Sequence, residues 1–186
     1  MNTKTKKHRL FIGAPLSLET KDIIKSWISQ LPTAQIRWTS PENYHLTIEF
    51  LGMIEAEKIE TINQTLQKII PSFKVFAVKL DKWIFFPNAT HPKIISVYVS
   101  LTEELGKLRA QIHQALAAAN FILEDRPYLP HITIGRCRDI KLDAAAIKNP
   151  ETSQSFFINQ VVLYESVQIN SQSTYLVKSN FDLHRE

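Results

Sequence analysis

The sequence alternates between short apolar segments with a two-residue period and longer segments with apolar residues three or four positions apart. The first pattern is typical of strands and the second of amphipathic helices. Counting from the N-terminus, strands are predicted at residues 9–14, 44–51, 73–84, 93–101, 131–137, 155–165 and 173–181. Gly52 is expected to end the second of these strands, and residues 170–173 are expected to form a hairpin turn between the last two.

Three segments have the apolar spacing of helices that bury one face. Ser17 and Thr102 are residue types that cap helix N-termini, and Pro32 and Pro71 are expected to end helices. A shorter polar segment at 143–149 is also interpreted as helical. The predicted buried faces comprise, in chain order, Ile23, Ile24, Trp27, Ile28 and Leu31; Ile59, Ile62, Leu66, Ile69 and Ile70; and Leu105, Leu108, Ile112, Leu116 and Ala119.

The order strand, helix, strand occurs twice, and each second strand carries the same short motif. The motifs are His45-Leu46-Thr47-Ile48 and His131-Ile132-Thr133-Ile134, and they lie 86 residues apart. The strand-to-histidine spacing is 35 residues from Leu10 to His45 and 34 from Val97 to His131. This internal repeat predicts an α+β fold in which two lobes with antiparallel sheets flank a central cleft, related by a pseudo-two-fold axis. Without a linker-like segment between the halves, residues 1–186 are interpreted as one bilobal domain.

Each motif also predicts a polar face on its strand. Because successive strand residues point to opposite faces, His45 and Thr47 share one face while Leu46 and Ile48 share the other. His131 and its Thr133 repeat the arrangement. A single motif of this kind indicates only a half-exposed strand, but two in equivalent positions predict that both His/Thr pairs line the cleft.

Composition and charge restrict the classes of protein to which the chain can belong. With 44% hydrophobic and 22% charged residues, the 186-residue chain is typical of a folded protein. Its apolar runs are shorter than the roughly 18 residues of a membrane helix, so a cytoplasmic protein without membrane association is expected. The net charge is +4, but four cations precede residue 10 and the remaining residues are formally neutral. We expect a flexible basic tail at 1–8, and local groups rather than net charge to bind any anion.

Two opposed imidazoles can supply a general base and a general acid near neutral pH. This pairing is suited to a phosphodiester, because one histidine can activate water while the other protonates the departing oxygen. Thr47 and Thr133 can donate hydroxyl hydrogen bonds to the phosphate oxygens. Arg136 lies on the wrong face by strict alternation, but a bulge at Gly135 would turn it towards the phosphate. The sequence shows no clustered spacing of zinc ligands.

Five segments together resemble the bacterial and archaeal RNA 2′,3′-cyclic phosphodiesterases of the two-histidine phosphoesterase superfamily, also called 2′-5′ RNA ligases. They extend over nearly the whole chain, in order, and include both histidine motifs with their flanking residues. The segments are residues 9–14, 36–52, 86–87, 124–136 and 162–166.

The resemblance implies hydrolysis of a terminal 2′,3′-cyclic phosphate to a 2′-phosphomonoester, without metal or cofactor. It further implies that His45 donates a proton to the leaving 3′ oxygen and that His131 accepts one from water. Thr47 and Thr133 match phosphate-binding threonines, and Arg136 matches an arginine near the phosphate. The expected partner is RNA with a 2′,3′-cyclic phosphate end, or a nucleoside cyclic phosphate, bound by a monomer.

The sequence departs from the family pattern at three positions. Glu49 replaces a common lysine or arginine and would repel phosphate if it pointed into the cleft, whereas Gly135 replaces a common alanine, a change expected to matter little. His91 lies in a region that is usually richer in arginine, which predicts weaker binding of the substrate there.

Some interpretations remain open at this stage. Phe11 shares a strand face with Arg9 and Gly13, so it either stacks on a nucleobase or packs in the core. The alternative functions are a 2′-5′ RNA ligase, another 2′-5′ or cyclic nucleotide phosphodiesterase, and a non-catalytic module that binds RNA ends.

Overall fold

A computed structural model of the chain describes residues 6–31, 36–137, 147–150, 154–170 and 172–185. Most of the predicted helix at 143–149 lies outside these residues. The described strands are β1 (Lys7–Pro15), β2 (Ile36–Trp38), β3 (His45–Glu55), β4 (Phe76–Phe86), β5 (Ile94–Val99), β6 (His131–Cys137), β7 (Gln154–Ile158), β8 (Gln160–Ile169) and β9 (Gln172–Asp182).

Three α-helices lie within the described residues, and two of them begin at the N-caps that the sequence predicts. The helices are α1 (Leu18–Ile28), α2 (Ile59–Ile69) and α3 (Glu103–Ala118). Ser17 Oγ accepts a hydrogen bond from the Thr20 amide at 3.1 Å, and Thr102 Oγ1 accepts one from the Leu105 amide at 3.2 Å. Both predicted caps are therefore confirmed.

The strands form two antiparallel sheets whose strand orders are related by the internal repeat. One sheet has the order β3-β1-β8-β9, and the other has the order β2-β6-β5-β4-β7. Leaving aside β2, the second order matches the first, with β6 in the place of β3 and β5 in the place of β1. The predicted α+β fold with duplicated strand–helix–strand units is confirmed.

A continuous apolar core connects both sheets and the helices. Ile24, Leu66 and Leu108, one from each helix, are fully buried. The ring centroids of Trp27 on α1 and Trp83 on β4 lie 6.1 Å apart in an edge contact, which fixes α1 on the five-stranded sheet. The histidine strands are held by this core through their apolar faces.

The structure corrects two strand boundaries. β3 does not end at Gly52 but continues to Glu55. Gly52 adopts a φ of 73° beside a register shift at Leu51, and the pairing with β1 continues on both sides of this shift. The predicted strand at 155–165 is divided at Asn159. β7 pairs with β4 and β8 pairs with β1, so the chain passes from one sheet to the other at this residue.

The basic N-terminal segment is also more ordered than expected at its end. Lys7 and His8 belong to β1, and His8 is buried with its Nδ1 2.5 Å from Glu165 Oε1. The prediction of a flexible tail is wrong for these two residues, because a partner carboxylate on β8 holds the strand. Residues 1–5 lie outside the described residues.

Two glycines beside the histidine strands offer a test of packing. A Cβ on Gly13 would lie 2.9 Å from the Leu46 carbonyl oxygen and 3.4 Å from His45 Cδ2. We expect Gly13→Ala to lower the free energy of unfolding by about 1–3 kcal/mol, because a paired backbone cannot move aside locally.

Gly135→Ala is the matched control. Its Cβ would lie 2.9 Å from Ile36 Cγ2 and 3.1 Å from Trp38 Cε3, but both are side-chain atoms on the short edge strand β2. Urea denaturation should therefore show a smaller decrease in the free energy of unfolding for Gly135→Ala than for Gly13→Ala. A larger decrease for Gly135→Ala would contradict this account.

Candidate active site

The two histidine strands meet where the sheets face each other. β3 is an edge strand of its sheet and contacts β6 of the other sheet. On both strands the histidine and threonine side chains are half-buried, while the intervening leucine and isoleucines are buried. The predicted alternation of the two faces is confirmed.

The four side chains line two depressions in a crossed arrangement. Thr47 and His131 line a depression of about 260 Å³, and His45 and Thr133 line a smaller one of about 60 Å³. Each depression thus takes its histidine from one repeat and its threonine from the other. His45 Nε2 lies 3.1 Å from Thr47 Oγ1, which connects the two.

Both imidazoles are oriented by the same backbone hydrogen bond. His45 Nδ1 donates to the Asn43 carbonyl and His131 Nδ1 donates to the Leu129 carbonyl, each at 2.7 Å. A carbonyl oxygen can only accept, so Nδ1 carries a proton in both rings. In each neutral ring Nε2 is then the free basic nitrogen, available for proton transfer.

The segments that precede the histidines are fixed by contacts across the repeats. Asn43 Nδ2 donates to the Ser173 carbonyl on β9 at 2.9 Å. Tyr128 Oη donates to the Thr47 carbonyl, also at 2.9 Å, and so joins the segment before His131 to the strand that carries His45. These two hydrogen bonds restrict the relative position of the two imidazoles.

Three aromatic rings surround His45. The ring centroids of Phe11 and Tyr175 lie 4.7 and 4.8 Å from that of the imidazole, and Tyr164 lies at 5.9 Å. Phe11 is only 3% exposed, so it offers no open face to a nucleobase. Of the two alternatives that the sequence leaves open for Phe11, the structure shows packing, here against His45.

This environment disfavours the imidazolium form of His45. Burial lowers the pKa of His45 to about 4, the Asn43 carbonyl opposes the shift, and His131 adds to it. His45 is therefore neutral at pH 7 in the empty site.

Glu49 does not present an uncompensated charge to the cleft. Its carboxylate is 4% exposed, accepts a hydrogen bond from His113 Nδ1 at 2.8 Å and lies 3.3 Å from Arg109 Nε. Arg109 also lies over the Tyr128 ring, 5.8 Å from its centroid. Glu49 does line the larger depression, but α3 supplies two partners that offset its negative charge. His91 is exposed, and its amide bonds to Asn88 Oδ1.

Arg136 reaches the site through the predicted bulge. Adjacent residues Ile95 and Ser96 pair with Gly135 and Thr133, so Ile134 is an extra residue in β6. After this insertion Arg136 lines the smaller depression with His45 and Thr133. The bulge at Gly135 is confirmed.

An equivalent bulge in β3 identifies Phe50, which the sequence interpretation missed. Ile12 and Gly13 pair with Glu49 and Thr47, so Ile48 is the extra residue. Phe50 then occupies the position that Arg136 has in the other repeat, five residues after the histidine. It is 45% exposed and lines the larger depression. An alignment of the two His-x-Thr motifs that extends past their fourth residue places Phe50 opposite Arg136.

The two depressions differ in chemistry. The larger has apolar walls formed by Phe50, Phe86 and Tyr128, with the guanidinium groups of Arg109 and Arg126 at its margin. The smaller is lined by polar and cationic groups, among them Arg37, Ser40 and Arg136. This division suits a ligand with an aromatic part and an anionic part.

Within the described ranges, no group of three or more His, Cys, Asp or Glu side chains is arranged to hold a metal ion. Among the same residues, no helix is both long and apolar enough to cross a membrane.

Comparison with known proteins agrees with the duplicated geometry. The family model described as LigT-like phosphoesterase matches the chain twice, at residues 15–96 and 97–174. The chain belongs to the LigT-like phosphoesterase family. The two matches of this phosphoesterase model meet at residues 96–97, within β5, the strand that begins the second repeat.

Curated relatives and solved structures extend the comparison. The chain is 29% identical over 168 residues to an RNA 2′,3′-cyclic phosphodiesterase of Geobacillus stearothermophilus, covering 87% of this chain and 53% of that protein. It therefore spans about half the length of that relative. It is 30% identical over 132 residues to a Thermotoga maritima protein of the same name, covering 70% of each. The crystal structure of apo E. coli LigT superposes with a TM-score of 0.81 at 23% identity, covering 96% of this chain and 99% of LigT.

The titration of His45 is a direct test of the site. We expect NMR to give a pKa near 4 in the empty protein, and a higher pKa when inorganic phosphate binds, because an anion stabilises the imidazolium form. His131→Gln should raise the pKa of His45, since it removes a group that can carry like charge. A His45 pKa near 6.5 in the empty wild-type protein would contradict the assigned environment.

Proposed function

We propose that this protein is an RNA 2′,3′-cyclic phosphodiesterase that hydrolyses terminal cyclic phosphates to 2′-phosphomonoesters by paired-histidine acid–base catalysis, without metal. The observation that carries the proposal is the pair of imidazoles with Nδ1 fixed on backbone carbonyls and Nε2 left for proton transfer. The names of the Geobacillus and Thermotoga relatives support the substrate class.

The two depressions suggest how the substrate binds. The cyclic phosphate lies between the histidines, where Thr47 and Thr133 hydroxyls donate to its non-bridging oxygens and Arg136 neutralises its charge. The terminal nucleoside occupies the larger depression, with its base on the exposed ring of Phe50. Base–aromatic stacking of this kind contributes about 1–3 kcal/mol.

The reaction needs one proton acceptor and one proton donor on opposite sides of the phosphorus. His131 Nε2 accepts a proton from water as the water oxygen bonds to phosphorus. The bond between phosphorus and O3′ then breaks, and His45 Nε2 gives its proton to O3′. The phosphate remains on O2′, and His131 releases its proton to solvent as the product leaves, which restores the free protein.

His45 must gain a proton before it can donate one. In the empty site its pKa is about 4, so the free protein holds it neutral at pH 7. A bound phosphodiester anion, held in aromatic surroundings that weaken solvent screening, raises this pKa and draws the proton in. Thr47 Oγ1 then releases His45 Nε2 and turns to the phosphate. Substrate and proton are therefore expected to bind together.

The same geometry would serve 2′-5′ ligation, since the reverse reaction exchanges the roles of the two histidines. A monomeric protein in the cytoplasm, acting on RNA ends without a cofactor, remains our prediction.

Removal of either imidazole tests the mechanism. His45→Ala and His131→Ala should each lower kcat on an RNA ending in a 2′,3′-cyclic phosphate by roughly 10²- to 10⁴-fold, because each loses one proton-transfer group. His91→Ala is the matched control, since His91 is exposed and lines neither depression.

The product identifies the leaving group. A 2′-phosphate is expected, whereas a 3′-phosphate would overturn the assignment of His45 as the donor to O3′. Normal RNA-end binding by both alanine variants, with no turnover by the wild type, would favour the non-catalytic binding module.

Tyr128→Phe tests the contact between repeats. The change removes the hydrogen bond to the Thr47 carbonyl but keeps the ring under Arg109. We expect a several-fold loss of kcat with little change in KM, and an unfolding free energy lower by about 1 kcal/mol. If Tyr128→Phe loses this stability but keeps the kcat of the wild type, Tyr128 has only a structural role.

A further inference from the structure

A third depression adjoins the one lined by Thr47 and His131, and neither histidine of the two motifs lines it. It is lined by Arg9, Phe50, Leu51, Gly52, Ile122, Leu123, Glu124 and Arg126, and it has a volume of about 390 Å³. We call it the outer depression. It shares Phe50, Glu124 and Arg126 with the depression proposed to hold the terminal nucleoside. Phe50 therefore forms a wall between two connected spaces.

The outer depression combines apolar exposure with positive charge. Ile122 is 96% exposed, and Phe50 is 45% exposed. Arg126 pairs with Glu124, while the exposed guanidinium group of Arg9 makes no ion pair or hydrogen bond with the residues that the structure describes. The depression thus carries about one uncompensated positive charge beside an open apolar surface, which suits one phosphodiester and one base.

The neighbouring cations differ from Arg9 in having a carboxylate partner. Lys7 and Lys58 line an adjacent surface beyond Ile122 and share the Glu55 carboxylate, at 3.9 and 4.0 Å. Arg9 is the cation of the outer depression whose side chain has no carboxylate partner among the described residues. We therefore limit the inference to the one nucleotide whose phosphate would contact Arg9.

We propose that the outer depression binds the nucleotide that precedes the cyclic phosphate end, with Arg9 on the bridging phosphate and Ile122 under the preceding base. This inference rests on the proposed function, because the terminal nucleoside must lie in the larger depression. The chain leaving O5′ of that nucleoside then passes Arg126 at the junction and reaches Arg9. The protein would therefore select RNA ends over single nucleoside cyclic phosphates.

The test compares two substrates that differ by one nucleotide. These are adenosine 2′,3′-cyclic phosphate and the dinucleotide ApA ending in a 2′,3′-cyclic phosphate. We expect the wild type to have a roughly three- to tenfold lower KM for the dinucleotide at low salt. Arg9→Gln and Ile122→Ser should each reduce this advantage and leave the KM for the mononucleotide unchanged.

Lys68→Gln is the charge-matched control. Lys68 is exposed on α2 and lines none of the three depressions, so its substitution should change neither KM. Added salt should also weaken the wild-type preference, while Arg9→Gln should show a smaller salt dependence by about one phosphate contact. Equal KM values for the two substrates in the wild type, or parallel changes for both substrates in Arg9→Gln, would overturn the proposal.

Binding separates this proposal from the proposed catalysis. Calorimetry of both ligands on the His45→Ala/His131→Ala variant measures the same preference without turnover. One outcome is that the wild type turns over neither substrate and still binds the dinucleotide more tightly through Arg9. That result would refute the catalytic function but support the subsite. Turnover without an Arg9-dependent preference would refute the subsite alone.

Discussion

The site depends on one hydrogen bond made twice, from each imidazole Nδ1 to the carbonyl two residues before it. At 2.7 Å, this bond fixes both the tautomer and the ring orientation of His45 and His131. A histidine on a bare strand would rotate about its side-chain torsions and lose entropy on meeting a substrate. Here the preceding segments supply the acceptors, so that the conformations of residues 43–45 and 129–131 determine where Nε2 lies.

Those segments are themselves fixed from the opposite repeat. Asn43 is attached to β9, and Tyr128 is attached to β3. Glu49 adds an ionic contact between β3 and α3, with its charge shared by Arg109 and His113. A buried carboxylate without such partners would be destabilising, so this cluster both permits Glu49 and joins the repeats. The departure from the family pattern is compensated by tertiary contacts.

The duplication has kept the two His-x-Thr motifs and changed the residues around them. Both repeats retain His-x-Thr and the following bulge, because the bulge keeps the next polar or aromatic position on the cleft face. Five residues after the histidine, however, one repeat has Phe50 and the other has Arg136. A symmetric scaffold thus forms an asymmetric pair of depressions, one with an apolar wall and one cationic, which suits the asymmetric nucleotide that we propose as its ligand.

The sequence by itself determined the elements, the repeat and the candidate residues in the two motifs. Local signals suffice for these, since the apolar period distinguishes helix from strand and Ser17 and Thr102 cap their helices through residues three positions away. Only the tertiary structure decided the surroundings of those residues. The burial of Phe11 against His45, the neutralisation of Glu49, the crossing at Asn159 and the position of Arg9 beside Phe50 all depend on contacts between distant segments. Sequence spacing cannot give such contacts, because they are set by how the two sheets pack and which strands pair across the repeats.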